Sequence, residues 1–199
     1  MKPVAPLSAY LASSEHIDAT HPLIAARAQT LAAGAGDERE VAARCFHFVR
    51  DEIRHSWDFR QGPLTCSASA VLRHGTGYCY AKSHLLAALL RANGIAAGLC
   101  YQRLSVNDSG PPYCLHGLNA VLLPEHGWYR LDARGNKPGV AAHFTPPHEA
   151  LAFALREAEE CDFAEIWPEP LPVVVEALLS AGDIETLHAA LPDQPPQGR

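Results

Sequence analysis

The sequence predicts an α+β domain, helices first and antiparallel strands after, and three observations carry that prediction. Apolar residues recur at three- and four-residue steps through the first half, most clearly at Leu85, Leu86, Leu89 and Leu90. From Ile95 onward the period changes to short strand-like runs separated by turn clusters rich in Gly, Pro, Asn and Asp. The chain has 199 residues, 48% apolar and 19% charged, enough for one packed core without disulfide or metal staples. Helices and strands segregated along the chain define the α+β class.

Taken in order, His21–Ala33 reads as a helix with Pro22 at a tolerated first-turn position. Asp37-Glu38-Arg39-Glu40 resembles a capping box, so a second helix runs from there to about Ile53. Val41, Cys45, Phe48, Val49 and Ile53 form its expected buried stripe. Residues 54–66 are broken by Gly62-Pro63 and read as a loop or short extended piece. One or two helical turns over Ser67–Arg73 stop at His74-Gly75. The clearest helix spans Cys79 to Ala92, with Gly94 as its stop. On an amphipathic reading of that helix, Lys82 is solvated and His84 lies in the core or at its rim.

Strands follow at Ile95–Leu104, Leu115–Leu123 and Gly127–Ala133, the last two joined by the turn Pro124-Glu125-His126. Asn107–Pro112 is a turn cluster, and Leu151–Phe153 fits a strand or a helical turn equally well. Pro172–Ala181 and a short segment from Asp183 read as helices. The expected organisation is a single domain over 1–191 with its core at about 40–136, then a flexible tail over 192–199.

Net charge is −6, with no run of like charges, which argues against nucleic acid or an anionic membrane as partner. The N-terminus has no signal-peptide pattern, and the longest apolar run is interrupted by Arg91, Asn93 and Gly94. The reading is a soluble cytoplasmic protein whose six cysteines are free thiols. No CxxC pair occurs, and nothing in the pattern asks for a metal or an organic cofactor.

One cysteine differs from the rest by position. Cys79 opens the strongest helix, where unsatisfied N–H groups and the positive end of the helix dipole favour thiolate over thiol. Its own N–H is available to a developing oxyanion. A thiolate nucleophile needs a base, and the base an orienting group. His116 and Asp132 lie on the two strands of one hairpin. An even register with Leu122 opposite His126 sets them face to face, a shift of two makes them diagonal neighbours on the same face, and an odd register puts them on opposite faces, so the turn decides. Cys114, two residues before His116, shares its face.

Here a resemblance enters. GTGYCYAKSHLLAALLRANGIAAGLCYQ followed by LHGLNAVLLPEHGWYRLDARGN resembles the core of the transglutaminase-like superfamily. The matching residues are Gly77 and Cys79, Leu89-Leu90-Arg91 with Gly94-Ile95, His116, Gly127-Trp128 and Asp132. The resemblance implies a papain-like core, a Cys79-His116-Asp132 triad and acyl transfer through a thioester; the match does not fix the second oxyanion donor, for which Trp57 and Gln61 are the upstream candidates. The chain has no room for the β domains of animal transglutaminases, so a bacterial stand-alone cysteine protease, amidohydrolase or transamidase is the closer likeness. Its expected partner is a peptide or small amide substrate. A non-catalytic interaction domain on the same fold, an N-acyltransferase and a His/Cys metal hydrolase are the rivals, and substrate identity and oligomeric state stay open.

Overall fold

The computed structural model describes residues 1–107 and 109–194. Asp108 of the expected turn cluster and residues 195–199 of the expected tail lie outside the described residues. A two-residue strand β1 (Lys2–Pro3) and a 3-10 turn at Leu7–Tyr10 lead into α1 (Pro22–Ala32), where the His21 ring accepts from Leu23 N–H. Asp37 caps α2 (Glu38–His47) by accepting from Glu40 N–H at 2.7 Å, while Glu40 reaches back to Gly36 N–H at 2.8 Å. The expected single helix to Ile53 instead loosens into a π-helical turn at Phe48–Glu52. Its buried stripe is Ala42, Cys45, Phe46, Val49 and Ile53, with Val41 and Phe48 only half-buried.

The expected loop contains β2 (Arg54–His55) and a single turn α3 (Ser56–Phe59). Ser67 caps α4 (Ala68–His74), and Gly75 closes it at φ 63°, a left-handed position that suits glycine. Then β3 (Thr76–Gly77) pairs in parallel with β2, which sets His55 opposite Gly77. Helix α5 covers Cys79–Ala92 as the sequence predicts.

Strands β4 (Ala97–Ser105), β5 (Tyr113–Leu123) and β6 (Gly127–Leu131) with β7 (Cys161–Asp162) form one antiparallel sheet in the order β6-β5-β4-β7. A short β8 (Glu165–Ile166) pairs with β1, and α6 (Pro172–Ser180) and α7 (Ile184–Ala189) complete the described chain. Leu151–Phe153 is neither strand nor helix but irregular chain. No helix among the described residues is long and apolar enough to cross a membrane.

The core is built around α5. Sheet residues Leu99, Tyr101, Leu115 and Val121 cover one side, while α1, α2 and α4 cover the others, so α5 is buried from Cys79 through Arg91. A helix with neighbours all round has no wet face, which corrects the reading of Lys82: it is 1% exposed. Its Nζ donates to the carbonyls of Ile53 and Arg50, tying α5 to the end of the π-helical turn. Buried Arg91 likewise donates to the carbonyls of Ala12, Ala97 and Pro168. A smaller cluster of Tyr10, Cys100, Leu118, Ala120 and Ile166 covers the opposite face of the sheet.

The start of the expected tail is anchored. Pro192 O accepts from Leu115 N–H at 2.8 Å, and Asp193 takes a two-pronged contact from Arg103, both bonds 2.7 Å. Two strong partners at consecutive residues are why the segment does not fray there.

Candidate active site

Three elements converge at the N-terminus of α5. The first intrahelical bond there is Lys82 N–H to Tyr78 O, so the N–H groups of Cys79, Tyr80 and Ala81 have no helical carbonyl to meet. Cys79, 4% exposed, therefore sits among free donors at the positive end of a fourteen-residue helix. That turn presses on β5 where Gly117 has no side chain: a Cβ there would fall 2.9 Å from Tyr80 Cδ1 and 3.2 Å from Tyr80 Cα. The Tyr80 hydroxyl donates to Leu115 O, so both neighbours of His116 hold the helix start.

His116 and Asp132 meet across the β5–β6 hairpin. Leu123 pairs with Gly127, a register two residues from the face-to-face alternative, so the two are diagonal neighbours on one face. His116 Nε2 lies 2.7 Å from Asp132 Oδ2. Asp132 also accepts from Arg134 N–H at 3.0 Å and Ala152 N–H at 3.2 Å, which locks it in place. Burial raises the Asp132 carboxyl, but the His116 charge, its hydrogen bond and the two backbone donors outweigh that and leave it below its ordinary value.

Burial on its own pushes the His116 imidazolium down. The Asp132 charge and hydrogen bond, with a hydrogen bond and charge from Cys79, reverse this and lift it to about 10. Since Nε2 is engaged by Asp132, Nδ1 is the nitrogen left for the sulfur. The Phe153 ring meets the imidazole edge-on at 4.9 Å between centroids and fixes its tilt.

A cavity of about 490 Å³ opens on this group. Its walls include Cys79, His116, Cys114, Phe153, His55, Trp57 and, from the C-terminal segment, His188 and Leu191. Trp57 stacks on His188 at 3.4 Å between centroids and carries the Arg60 guanidinium on its ring, while His188 Nδ1 lies 3.0 Å from the Tyr78 hydroxyl. Gln61 does not line the cavity, and its side-chain carbonyl accepts from Arg54. Arg134 and Lys137 face the cavity but converge on Asp58, whose carboxyl their bonds hold at about 2 against the opposing effect of burial.

The sequence pattern thus names three residues that the structure brings together. It leaves out two contributors from the irregular chain, Ala152 N–H and the Phe153 ring, and one from β2, His55. Nothing periodic marks the first two. His55 stands between Arg54 and Ser56 in a polar stretch, where no pattern distinguishes it from its neighbours.

The family model of the transglutaminase-like superfamily matches residues 25–133, more than half of the chain. Among solved structures, a candidate cysteine protease from Cytophaga hutchinsonii is similar at TM-score 0.52 and 16% identity, over 64% of this chain and 42% of that one. The likeness at that identity is one of fold. The periplasmic domain of TgpA from Pseudomonas aeruginosa gives TM-score 0.47 and 19% identity, over 65% of this chain and 48% of that one. A candidate protease from Parabacteroides distasonis gives 0.44 and 15%, over 69% and 27%. The chain spans less than half the length of each of these structures. No curated protein matches it significantly. With a buried carboxylate-imidazole pair beside a helix-start cysteine in a matching core, the chain belongs to the transglutaminase-like superfamily.

Proposed function

We propose that the protein is a thiol acyl-transfer enzyme acting on amide or ester bonds of a peptide or small amide. The Cys79 thiolate attacks the carbonyl carbon, forming a C–S bond as the carbonyl π pair moves onto oxygen. Collapse of that oxyanion breaks the bond to the leaving group, which takes its proton from the His116 imidazolium while Asp132 holds the ring. Water or an amine then gives a proton to His116 and attacks the thioester carbon, and the C–S bond breaks to release an acid or a new amide and the Cys79 thiolate. The observation that carries this reading is the 2.7 Å His116–Asp132 pair whose remaining ring nitrogen serves Cys79 at the start of α5. We also assign its work to the cytoplasm, where a reducing pool keeps a lone nucleophilic thiol active.

The test is Cys79→Ala, which should abolish turnover of a p-nitrophenyl ester while thermal unfolding stays within a few degrees of the parent. Iodoacetamide at low concentration near pH 6 should label Cys79 ahead of the other five thiols. Full turnover in the variant, or uniform labelling, would sink the assignment.

A further inference from the structure

The sequence leaves the second oxyanion donor open between Trp57 and Gln61. Gln61 lies off the cavity, and Trp57 is held between a ring and a guanidinium in the cavity wall. A third group is better placed. His55 is 4% exposed yet lines the same cavity as Cys79 and His116. The parallel pairing of β2 with β3 fixes it opposite Gly77, two residues before the nucleophile, and its ring lies 4.9 Å from that of Tyr78.

Its hydrogen bonding is incomplete, which is unusual for a buried imidazole. Nδ1 is sealed from solvent without a partner. The nearest acid is Asp58, with Oδ2 3.7 Å from Nδ1, too long for a hydrogen bond. Both Asp58 oxygens already accept from Arg134 and Lys137. Burial, then the Arg134 charge outweighing Asp58, hold the His55 imidazolium well below its ordinary range, so the ring is neutral near pH 7 and carries one N–H. Of the two ring nitrogens only Nδ1 is sealed without a partner, so a proton on Nε2 is the one left for a ligand in the cavity.

We propose, on the acyl-transfer reading above, that His55 is a further catalytic residue: its Nε2–H joins the N–H of Cys79 as the second donor to the oxyanion. A neutral donor suits the task, because it stabilises charge that develops on the substrate oxygen without adding a second cation beside the His116 imidazolium. It is also rigid, held by a backbone ladder rather than by a flexible side chain.

The experiment uses the full chain with p-nitrophenyl acetate and two substitutions. His55→Leu keeps bulk but removes the donor, and should lower kcat/KM by about 10²–10³-fold. His55→Gln restores an N–H donor and should recover to within about tenfold of the parent. Neither should slow alkylation of Cys79 by iodoacetamide at pH 6, since that reaction forms no oxyanion. Turnover of His55→Leu within threefold of the parent, or equal loss in both variants, would overturn the proposal. If the variants fail to fold, ¹⁵N spectra of the parent decide: protonation of His55 at Nε2 is expected, and protonation at Nδ1 refutes it. Loss of Cys79 reactivity in the parent would instead count against the acyl-transfer reading.

Discussion

His116 Nε2 meets Asp132 Oδ2 at 2.7 Å although the ladder of β5 and β6, extended one step, sets Leu118 opposite Asp132. The pair forms because β6 ends at Leu131, leaving Asp132 free to lean along the face toward His116. Arg134 N–H and Ala152 N–H then fix that lean.

Removing the Asp132 charge should therefore act on protonation rather than on shape. In Asp132→Asn the imidazolium loses the main support that lifts it to about 10, while burial still pushes it down. The alkaline limb of the ester-hydrolysis profile should move down by more than two pH units. At pH 8 the rate should fall by about 10²–10⁴-fold. An unmoved limb would mean that Asp132 only orients the ring.

Stability should carry two opposed titrations. His116 folded titrates at about 10 against an ordinary 6.5, so its stabilisation is complete below 6.5 and is lost as pH rises to 10. Lys82 has the opposite sign. Burial, aided by Arg134, lowers it from 10.5 to about 7, so between those values the unfolded chain binds the extra proton. Its penalty is full below 7 and fades as pH rises. Between pH 7 and 10 the two slopes, each about 1.4 kcal/mol per pH unit, largely cancel. Urea unfolding should show a flat parent, falling stability in Lys82→Met and rising stability in His116→Gln. Parallel curves for all three would refute both assignments.

Two glycines should separate site geometry from core packing. Gly117→Ala forces Cβ against the backbone and ring of Tyr80, pushing the start of α5 off β5 and Cys79 away from His116. Activity should drop about 10–100-fold, since small misplacements of reacting groups cost that much. In Gly98→Ala the new Cβ lies 2.4 Å from Ile166 Cγ2 and 3.0 Å from Trp167 O, on the far cluster. Overpacking there should cost about 1–3 kcal/mol in denaturant titration and leave the rate of the folded fraction unchanged.

What was legible in the sequence was local. The extent of α5 follows from its Leu spacing and Gly94, the cap at Asp37 follows from side-chain chemistry, short helices are legible from Ser67 and Asp183, and one short turn marks the hairpin of His116 and Asp132 while leaving its parity open. What escaped depends on neighbours distant in sequence. Periodicity shows that α5 has an apolar face but not how many elements surround it, so buried Lys82 read as solvated. His55 escaped because β2 is two residues long and exists only by pairing with β3, some twenty residues on. Phe153 and Ala152 act from irregular chain, where no pattern marks a contact.

The seating of Pro192 and Asp193 on the edge of the sheet has a practical side for anyone handling the protein. Leu191 is part of the cavity wall, so an affinity handle or reporter joined directly after Asp193 starts only two residues from that lining. A bulky fusion at that point would strain the contacts of Pro192 and Asp193 and pull the wall away. Rates measured on such a fusion would report the handle along with the enzyme.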